Sequence, residues 1–167
     1  GVDRFHKWWM LDVYDITSRG RVEVTSFFDL VMAWNKGVSY GLFEAETALG
    51  VAILAIFALA VSLGLALWLA RVDMKWTAIA IGLVLGGALG NVYDRLVFAC
   101  VRDFLHPLPG VVLPFGWTWP NDPSGQVWPW VSNIADLFLI LGVIGLMVAM
   151  WRMPKPEAER GELGKQG

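Results

Sequence analysis

The sequence predicts a mainly α-helical integral membrane protein, built as a four-helix transmembrane bundle with a small extracytoplasmic β element. Its 167 residues are 56% hydrophobic and 17% charged, whereas soluble domains average about 45–50% apolar and about 25% charged residues. Three long apolar stretches account for the excess. Each could cross a hydrocarbon core of about 30 Å, which takes roughly 20 residues. Three such stretches in so short a chain leave too little polar surface for a soluble protein with buried core helices.

The apolar stretches predict transmembrane helices over residues 48–70, 76–94 and 131–151. The first is uncharged throughout, and the second is uncharged until Asp94 at its end. The third carries a single charge, Asp136. Charges are therefore rare in these segments, and those that occur need a reason.

The positions of lysine and arginine predict the orientation, because short cytoplasmic loops carry an excess of both residues. The link between the first two of these helices contains Arg71 and Lys75, and the last helix is followed by a charged tail at residues 154–167. We expect both segments to be cytoplasmic. Segments 1–47 and 94–130 would then lie outside.

The N-terminal segment begins without a methionine and shows no signal-peptide pattern. If it lies outside, we expect residues 1–13 to be the outer end of a first helix that is truncated in this sequence, so that one membrane domain of four helices extends over residues 1–167. Residues 20–43 contain β-branched and aromatic residues with glycines between them, which predicts the β element. Residues 105–130 contain six prolines and are expected to form an external loop.

A stripe of glycines occurs within the second apolar stretch. Gly82, Gly86 and Gly90 are spaced by four residues, and small residues at this spacing let helix backbones approach closely in membranes. We expect the stripe to press the end of this helix against its neighbours.

Asp136 is the clearest ionisable residue in an apolar helix. Such a residue costs about 2.5–3.5 kcal/mol at the helix centre on insertion scales, so it is a functional candidate by default. Asn133 precedes it by three residues and lies on the same helical face.

The same spacing recurs at the outer end of the preceding apolar stretch. Asn91 and Asp94 are followed there by Arg95, and Asp103 comes a few residues later between apolar neighbours. Three carboxylates are thus expected near one face of the membrane.

Each carboxylate also has an ordinary structural interpretation. Asp94 could form an ion pair with Arg95 that closes a helix end, and Asp103 could be a loop residue. Asp136 could be a first-turn carboxylate that the helix dipole favours. Together these interpretations are weaker, because two carboxylates in a partly desolvated site cannot both ionise cheaply, and one is driven to hold a proton near neutral pH. That is the arrangement of an aspartic protease dyad.

Composition excludes several other classes of function. The net charge of -2 argues against nucleic acid as a partner, since phosphate binding calls for a basic excess. A single cysteine, Cys100, and two histidines, His6 and His106, are too few for a cysteine-rich or histidine-rich metal site. We therefore expect no metal and no cofactor, and chemistry that depends on carboxylates.

Four blocks of this chain resemble the bacterial lipoprotein signal peptidases, or signal peptidase II, in the order and spacing of that family. They are NKGVSYGLF (Asn35 to Phe43), LVLGGALGNVYDR (Leu83 to Arg95), VRDF (Val101 to Phe104) and SNIADLFL (Ser132 to Leu139).

The resemblance implies a four-helix membrane aspartyl endopeptidase. Such an enzyme removes the signal peptide from diacylglyceryl-modified prolipoproteins, just before the lipidated cysteine, in the inner membrane with its active site near the extracytoplasmic face. By matching position, the catalytic dyad would be Asp103 and Asp136. The family precedent also implies a monomer whose partners are the prolipoprotein and membrane lipid. The residues that bind or orient substrate and dyad would be Asn35, Asn91, Asp94, Arg95 and Asn133.

The sequence departs from the family pattern in its first helix. The family carries Asp-Gln-x-x-Lys there, and this chain keeps Asp3 and Lys7 but has Arg4 in place of glutamine. Any specific role at position 4 is therefore in doubt.

Two functions of other classes compete with proteolysis. A small membrane transporter or proton-conducting subunit would need ionisable groups near the midplane and a polar path to both faces. Here the acidic residues gather at the outer end, and the inner halves of the helices are apolar. A purely structural scaffold would leave the three carboxylates unexplained.

Overall fold

Long apolar helices and a small antiparallel sheet make up the described part of the chain. The computed structural model describes residues 1–37, 47–118, 126 and 130–152. Within these residues the α-helices are α1 (Val2–Trp8), α2 (Ile16–Arg19), α3 (Ala48–Leu69), α4 (Lys75–Phe98) and α5 (Ile134–Trp151). The strands are β1 (Val22–Thr25), β2 (Phe28–Asn35) and β3 (Val101–Pro107). The mainly helical class with a small β element is confirmed.

Three of the helices are long and apolar enough to cross a membrane. They are α3, α4 and α5, with 22, 24 and 18 residues. Helix α3 begins after Thr47, whose side chain accepts a hydrogen bond from the Gly50 N–H and so caps the helix. Helix α1 is shorter and continues into a π-helical turn at Trp9–Val13, so residues 2–13 are helical throughout.

Two of the long helices differ from the predicted boundaries. Helix α4 continues four residues beyond position 94, to Phe98, so Asp94 lies inside the helix and not at its end. Helix α5 begins at Ile134 and not at residue 131, because Asn133 has extended backbone angles and caps the helix.

The sheet joins the predicted β element to a strand that the sequence did not predict. Its order is β1-β2-β3, with both pairs antiparallel. In β3, Asp103 lies opposite Ala33 of β2, and Val101 lies opposite Asn35. Residues 105–107, expected in a loop, belong to β3. Their extended conformation depends on pairing with a strand 75 to 79 residues earlier, which local composition does not reveal.

Several other sequence expectations fall where the structure describes only part of the chain or none of it. The end of the predicted β element at residues 38–43 and the tail at residues 154–167 lie outside the described residues. So do residues 119–125 and 127–129 of the predicted loop.

Helices α4 and α5 pack closely at glycines. A Cβ built on Gly87 would lie 2.4 Å from the Ala135 carbonyl oxygen, and one on Gly142 would lie 2.7 Å from that of Ala80. The predicted stripe is wrong for Gly82 and Gly86, where a Cβ would meet no described atom within 4 Å. It is confirmed for Gly90, where a Cβ would lie 3.0 Å from Asp3 Oδ2 and 3.4 Å from Ala135 Cβ. A period of four residues drifts around the helix, so the three glycines do not all face a neighbour.

Candidate active site

Asp103 lies on β3 with 1% of its surface exposed. Two asparagine side chains hold its carboxylate in place. Asn35 Nδ2, at the end of β2, donates to Oδ2 at 3.1 Å, and Asn133 Nδ2 donates to Oδ1 at 2.7 Å. The strand pairing explains the first contact, because β2 and β3 are neighbours in register.

Asp136 occupies the first turn of α5 and forms a capping box with Asn133. The Asn133 side chain accepts from the Asp136 N–H at 3.0 Å, and the Asn133 N–H donates to Asp136 Oδ2 at 3.2 Å. Asn91 Nδ2, from α4, donates to the other carboxylate oxygen at 2.8 Å. Local helix capping therefore fixes one side of this carboxylate, and helix packing fixes the other.

Asn133 links the two aspartates. Its amide nitrogen donates to Asp103, and also to Asn91 Oδ1 at 3.1 Å, while its backbone nitrogen donates to Asp136. The residue has no exposed surface. One buried asparagine thus brings the carboxylates of β3 and α5 into a single hydrogen-bonded cluster.

The electrostatics of the cluster favour the protonated form of Asp103. Burial, together with the nearby charge of Asp136, raises the pKa of Asp103 to about 7. The donated hydrogen bonds from Asn133 and Asn35 and the positive charge of Lys7 oppose this rise in pKa, because each stabilises the ionised form. The pKa of Asp103 is therefore close to that expected for an acid or base acting near neutral pH.

Arg95 brings a positive charge to the same region. Its guanidinium interacts electrostatically with Asp136, Asp103 and Asp94. Its Nη2 donates to the Gly37 carbonyl oxygen at 3.1 Å, while its buried Nε has no hydrogen-bond partner among the described residues. A donor left in this way is available to a group that enters the site.

Asp94, like Arg95, hydrogen-bonds to neither aspartate among the described residues. It is fully buried, and its ion pairs are with Lys7 at 2.9 Å and Arg102 at 2.7 Å and not with neighbouring Arg95. Arg4 approaches it at 3.4 Å while its guanidinium stacks on the Tyr93 ring. Position 4 therefore has a structural role in this chain.

Asp3 and Lys7 also belong to this buried cluster, although the sequence assigned them no role. Lys7 has no exposed side-chain surface and lies 2.9 Å from both Asp3 and Asp94. Their spacing of four residues in α1 was a usable signal, because it places both side chains on one helical face.

An apolar cavity of about 400 Å³ lies beside Asn133, between the sheet and α5. Its walls come from Phe28 of β2, Leu105 of β3, and Leu137 and Ile140 of α5. The cluster thus has apolar space next to it, as a site for an apolar ligand needs. Among the described residues, no group of three or more histidine, cysteine or acidic side chains could hold a metal ion.

Comparison with known proteins identifies the family. The family model described as Signal peptidase (SPase) II matches residues 1–152. A lipoprotein signal peptidase of Nitrobacter hamburgensis is 44% identical over 147 residues, which is 87% of this chain and 82% of that protein. One from Methylorubrum extorquens is 35% identical over 166 residues, covering 99% and 88%.

Solved structures support the fold independently of these names. A structure described as a bacterial membrane enzyme, determined by the in meso method at 2.3 Å resolution, matches with a TM-score of 0.67 and 24% identity, over 90% of this chain and 81% of that one. The fold agrees with that of a membrane enzyme, and the family match and the relatives extend over most of the sequence. The chain belongs to the signal peptidase II family of lipoprotein-processing proteases.

Proposed function

We propose that this chain is an aspartyl endopeptidase that cleaves the signal peptide from diacylglyceryl-modified prolipoproteins just before the lipidated cysteine. The family accounts for signal-peptide cleavage from lipoproteins. The observation that carries the proposed mechanism is the pair of buried carboxylates, Asp103 and Asp136, that Asn133 joins.

The dyad would hold one proton between two carboxyl groups. The ionised aspartate takes a proton from water, and the resulting hydroxide attacks the scissile carbonyl, which the protonated aspartate polarises. The tetrahedral intermediate then collapses as the amide nitrogen of the leaving peptide receives a proton. A single pair of acids thereby supplies both the base and the acid, and its pH dependence belongs to the pair.

The polar residues around the dyad would orient it and the substrate. Asn35, Asn91 and Asn133 donate to the carboxylates and limit their rotation. Arg95, whose Nε has no hydrogen-bond partner in the described part of the chain, is suited to bind a substrate carbonyl. Asp94 acts on the dyad indirectly, because it accepts hydrogen bonds from Arg102, the residue before Asp103 in β3.

The membrane placement follows from the same assignment. A first helix completes a four-helix bundle with α3, α4 and α5, and the sheet lies at the extracytoplasmic face of the inner membrane. A lipid-modified substrate then approaches sideways from the outer leaflet and reaches the dyad at the helix ends. The enzyme acts as a monomer, surrounded by membrane lipid.

The test replaces each aspartate by asparagine, which keeps the shape of the side chain but removes the titrating group. Asp103→Asn and Asp136→Asn should each reduce cleavage of a diacylglyceryl-modified prolipoprotein by at least about 10³-fold. The two carboxyl groups act as a unit, so that loss of either one removes the function of both. Asp12→Asn is the matched control, because Asp12 is exposed on the π-helical turn. Both dyad variants should still insert and purify as the control does. Cleavage at the control's rate by either one would refute the assignment.

A further inference from the structure

Lys7 is a buried cation with two anionic partners. Its ammonium group lies 2.9 Å from Asp3 Oδ2 and 2.9 Å from Asp94 Oδ2, and its side chain has no exposed surface. A substrate cannot touch it there. Lys7 can therefore act on the proposed reaction only through its neighbours, Asp3 and Asp94.

Each of these partners holds the backbone of a residue that immediately precedes a dyad aspartate. Asp3 Oδ1 accepts from the Ala135 N–H at 3.1 Å, one residue before Asp136. Asp94 Oδ2 accepts from the Arg102 N–H at 3.2 Å, one residue before Asp103. The two halves of the dyad are therefore anchored in the same way, and Lys7 joins the two anchors.

We propose that Lys7 is a positioning residue that sets the separation of the two dyad carboxylates by holding Asp3 and Asp94 together. The proposal rests on the proposed function of the dyad. Asp103 belongs to β3 and Asp136 to α5. Asn133 links them by donating hydrogen bonds to both carboxylates. Lys7 provides a second link, because its ammonium group contacts both Asp3 and Asp94, which bind the backbone N–H groups next to the two dyad aspartates. With both in place, neither element can shift alone.

Removing the Lys7 ammonium should loosen this second link. Asp3 and Asp94 would then be two buried carboxylates facing each other without the cation between them, which drives them apart or protonates one of them. A displacement of about 1 Å at a reacting group costs on the order of 100-fold in rate. Because Lys7 does not contact substrate, the loss should appear in kcat and not in KM.

The charge of Lys7 provides a readout that loosened packing alone would not move. The charged groups near the dyad include Arg95 and Asp94 from α4, Arg102 beside Asp103 in β3, and Asp3 and Lys7 from α1. The positive charge of Lys7 lowers the pKa of Asp103. Its removal should move the pH–rate profile toward higher pH, and removal of the negative charge of Asp3 should move it toward lower pH.

The experiment compares Lys7→Met and Asp3→Asn with an exposed control, Lys75→Met, in the full chain with a lipid-modified prolipoprotein. Asparagine at position 3 can still accept from the Ala135 N–H. We expect Lys7→Met to lower kcat by about 10- to 100-fold with KM within about twofold of the control. Its profile should shift to higher pH, and that of Asp3→Asn to lower pH.

The outcomes separate this proposal from the proposed function. Unchanged kcat in a folded Lys7→Met protein overturns the positioning role, even if Asp103→Asn is inactive. So does a loss of kcat without the opposite pH shifts, since that would indicate a structural role alone. If Lys7→Met does not fold, the profile of Asp3→Asn decides, and an unshifted profile overturns the proposal. Cleavage by Asp103→Asn would instead refute the dyad itself.

Discussion

At the residue scale, the state of Asp103 is decided by opposing contributions to its pKa. Burial and the charge of Asp136 raise that pKa, while two amide donors and a distant lysine lower it. Burial prevails, and the pKa reaches about 7. The amides cannot turn to offer oxygen instead, because the Asn35 and Asn133 side-chain oxygens already accept from the N–H groups of Gly37 and Asp136. The polar surround thus limits the rise in pKa without cancelling it.

This raised pKa makes a prediction about stability. The folded protein binds the Asp103 proton more tightly than the unfolded chain, whose carboxyl titrates near 3.8. The resulting destabilisation is absent below about pH 4, grows as the pH rises, and is complete above about pH 7. Asp103→Asn does not titrate, so its Tm relative to wild type should increase over that range. Each unit of pKa is worth about 1.4 kcal/mol, and an increase of at least about 3 °C is expected.

Thermal unfolding of the purified proteins in detergent at a series of pH values measures the difference in Tm between Asp103→Asn and wild type. The absolute Tm of Asp103→Asn is expected to be lower throughout, because one amide donor loses its acceptor. Only the change in the difference with pH tests the prediction. Asp12→Asn, at an exposed position, should keep a constant difference from wild type. A constant difference for Asp103→Asn as well would contradict a raised pKa in the folded state.

The sequence was most informative about single residues where the spacing is local. Asn133 and Asp136 are three residues apart, and their proximity followed from this spacing alone, although Asn133 caps α5 and does not lie within it. The partners of Asp94 could not be found in this way. Lys7 and Asp94 are 87 residues apart in the sequence and meet only because α1 packs against α4. Sequence reasoning therefore offered an ion pair of Asp94 with adjacent Arg95 only as an alternative, whereas the described ion pairs of Asp94 are with Lys7, Arg102 and Arg4.

At the element scale, the start of α5 combines a structural and a chemical task. The capping box satisfies backbone donors that a helix end leaves free, and it uses Asn133 and Asp136 to do so. The same two side chains reach Asp103 and Asn91. Helix geometry thus contributes to the orientation of Asp136 alongside the tertiary contacts.

Close packing of α4 on α5 predicts a position-specific effect of adding one methyl group. Gly87→Ala would bring a Cβ to 2.4 Å from the Ala135 carbonyl oxygen and 2.9 Å from Leu139 Cγ. Helix α5 must then move, which costs typically 1–3 kcal/mol and displaces Asp136. We expect a lower Tm and at least about a tenfold loss of kcat, given how steeply rate depends on placement.

Gly82→Ala is the matched control for that substitution. It lies on the same helix, and its Cβ would meet no described atom within 4 Å. Alanine also has a higher helix propensity than glycine, by roughly 1 kcal/mol, so this variant should be at least as stable as wild type. Equal behaviour of the two variants in thermal unfolding and cleavage assays would contradict the packing described here.

The elements themselves were predictable to different degrees. Helices α3, α4 and α5 followed from hydropathy, since a long apolar run has few alternatives to a membrane helix. Strand β3 was not predicted, because its pairing partner is distant and its last residue is proline. The close contacts at Gly87 and Gly142 were missed for another reason. Spacing identifies small residues, but only the packing of two helices decides which of them face a neighbour.

At the scale of the whole molecule, the sheet and the link between α3 and α4 lie at opposite ends of the long helices. Helix α4 starts beside the link at Lys75 and ends at Phe98, just before β3. Its 24 residues extend about 36 Å at 1.5 Å per residue, which exceeds a hydrocarbon core of about 30 Å. If α4 spans the membrane, the sheet and the link must face different compartments.

The distribution of charge predicts which compartment each faces, and cysteine labelling can test it. Val24→Cys puts a thiol at an exposed position of β1, and Asp73→Cys puts one in the link without removing a basic residue. The native Cys100 should react little with the maleimide, because it is buried and burial raises the pKa of its thiol. A membrane-impermeant maleimide should label Val24→Cys in intact spheroplasts and Asp73→Cys only after permeabilisation. Both should be labelled in detergent, which controls for accessibility. The reverse pattern would place Asp103 and Asp136 at the cytoplasmic face and contradict the proposed approach of the substrate from the outer leaflet.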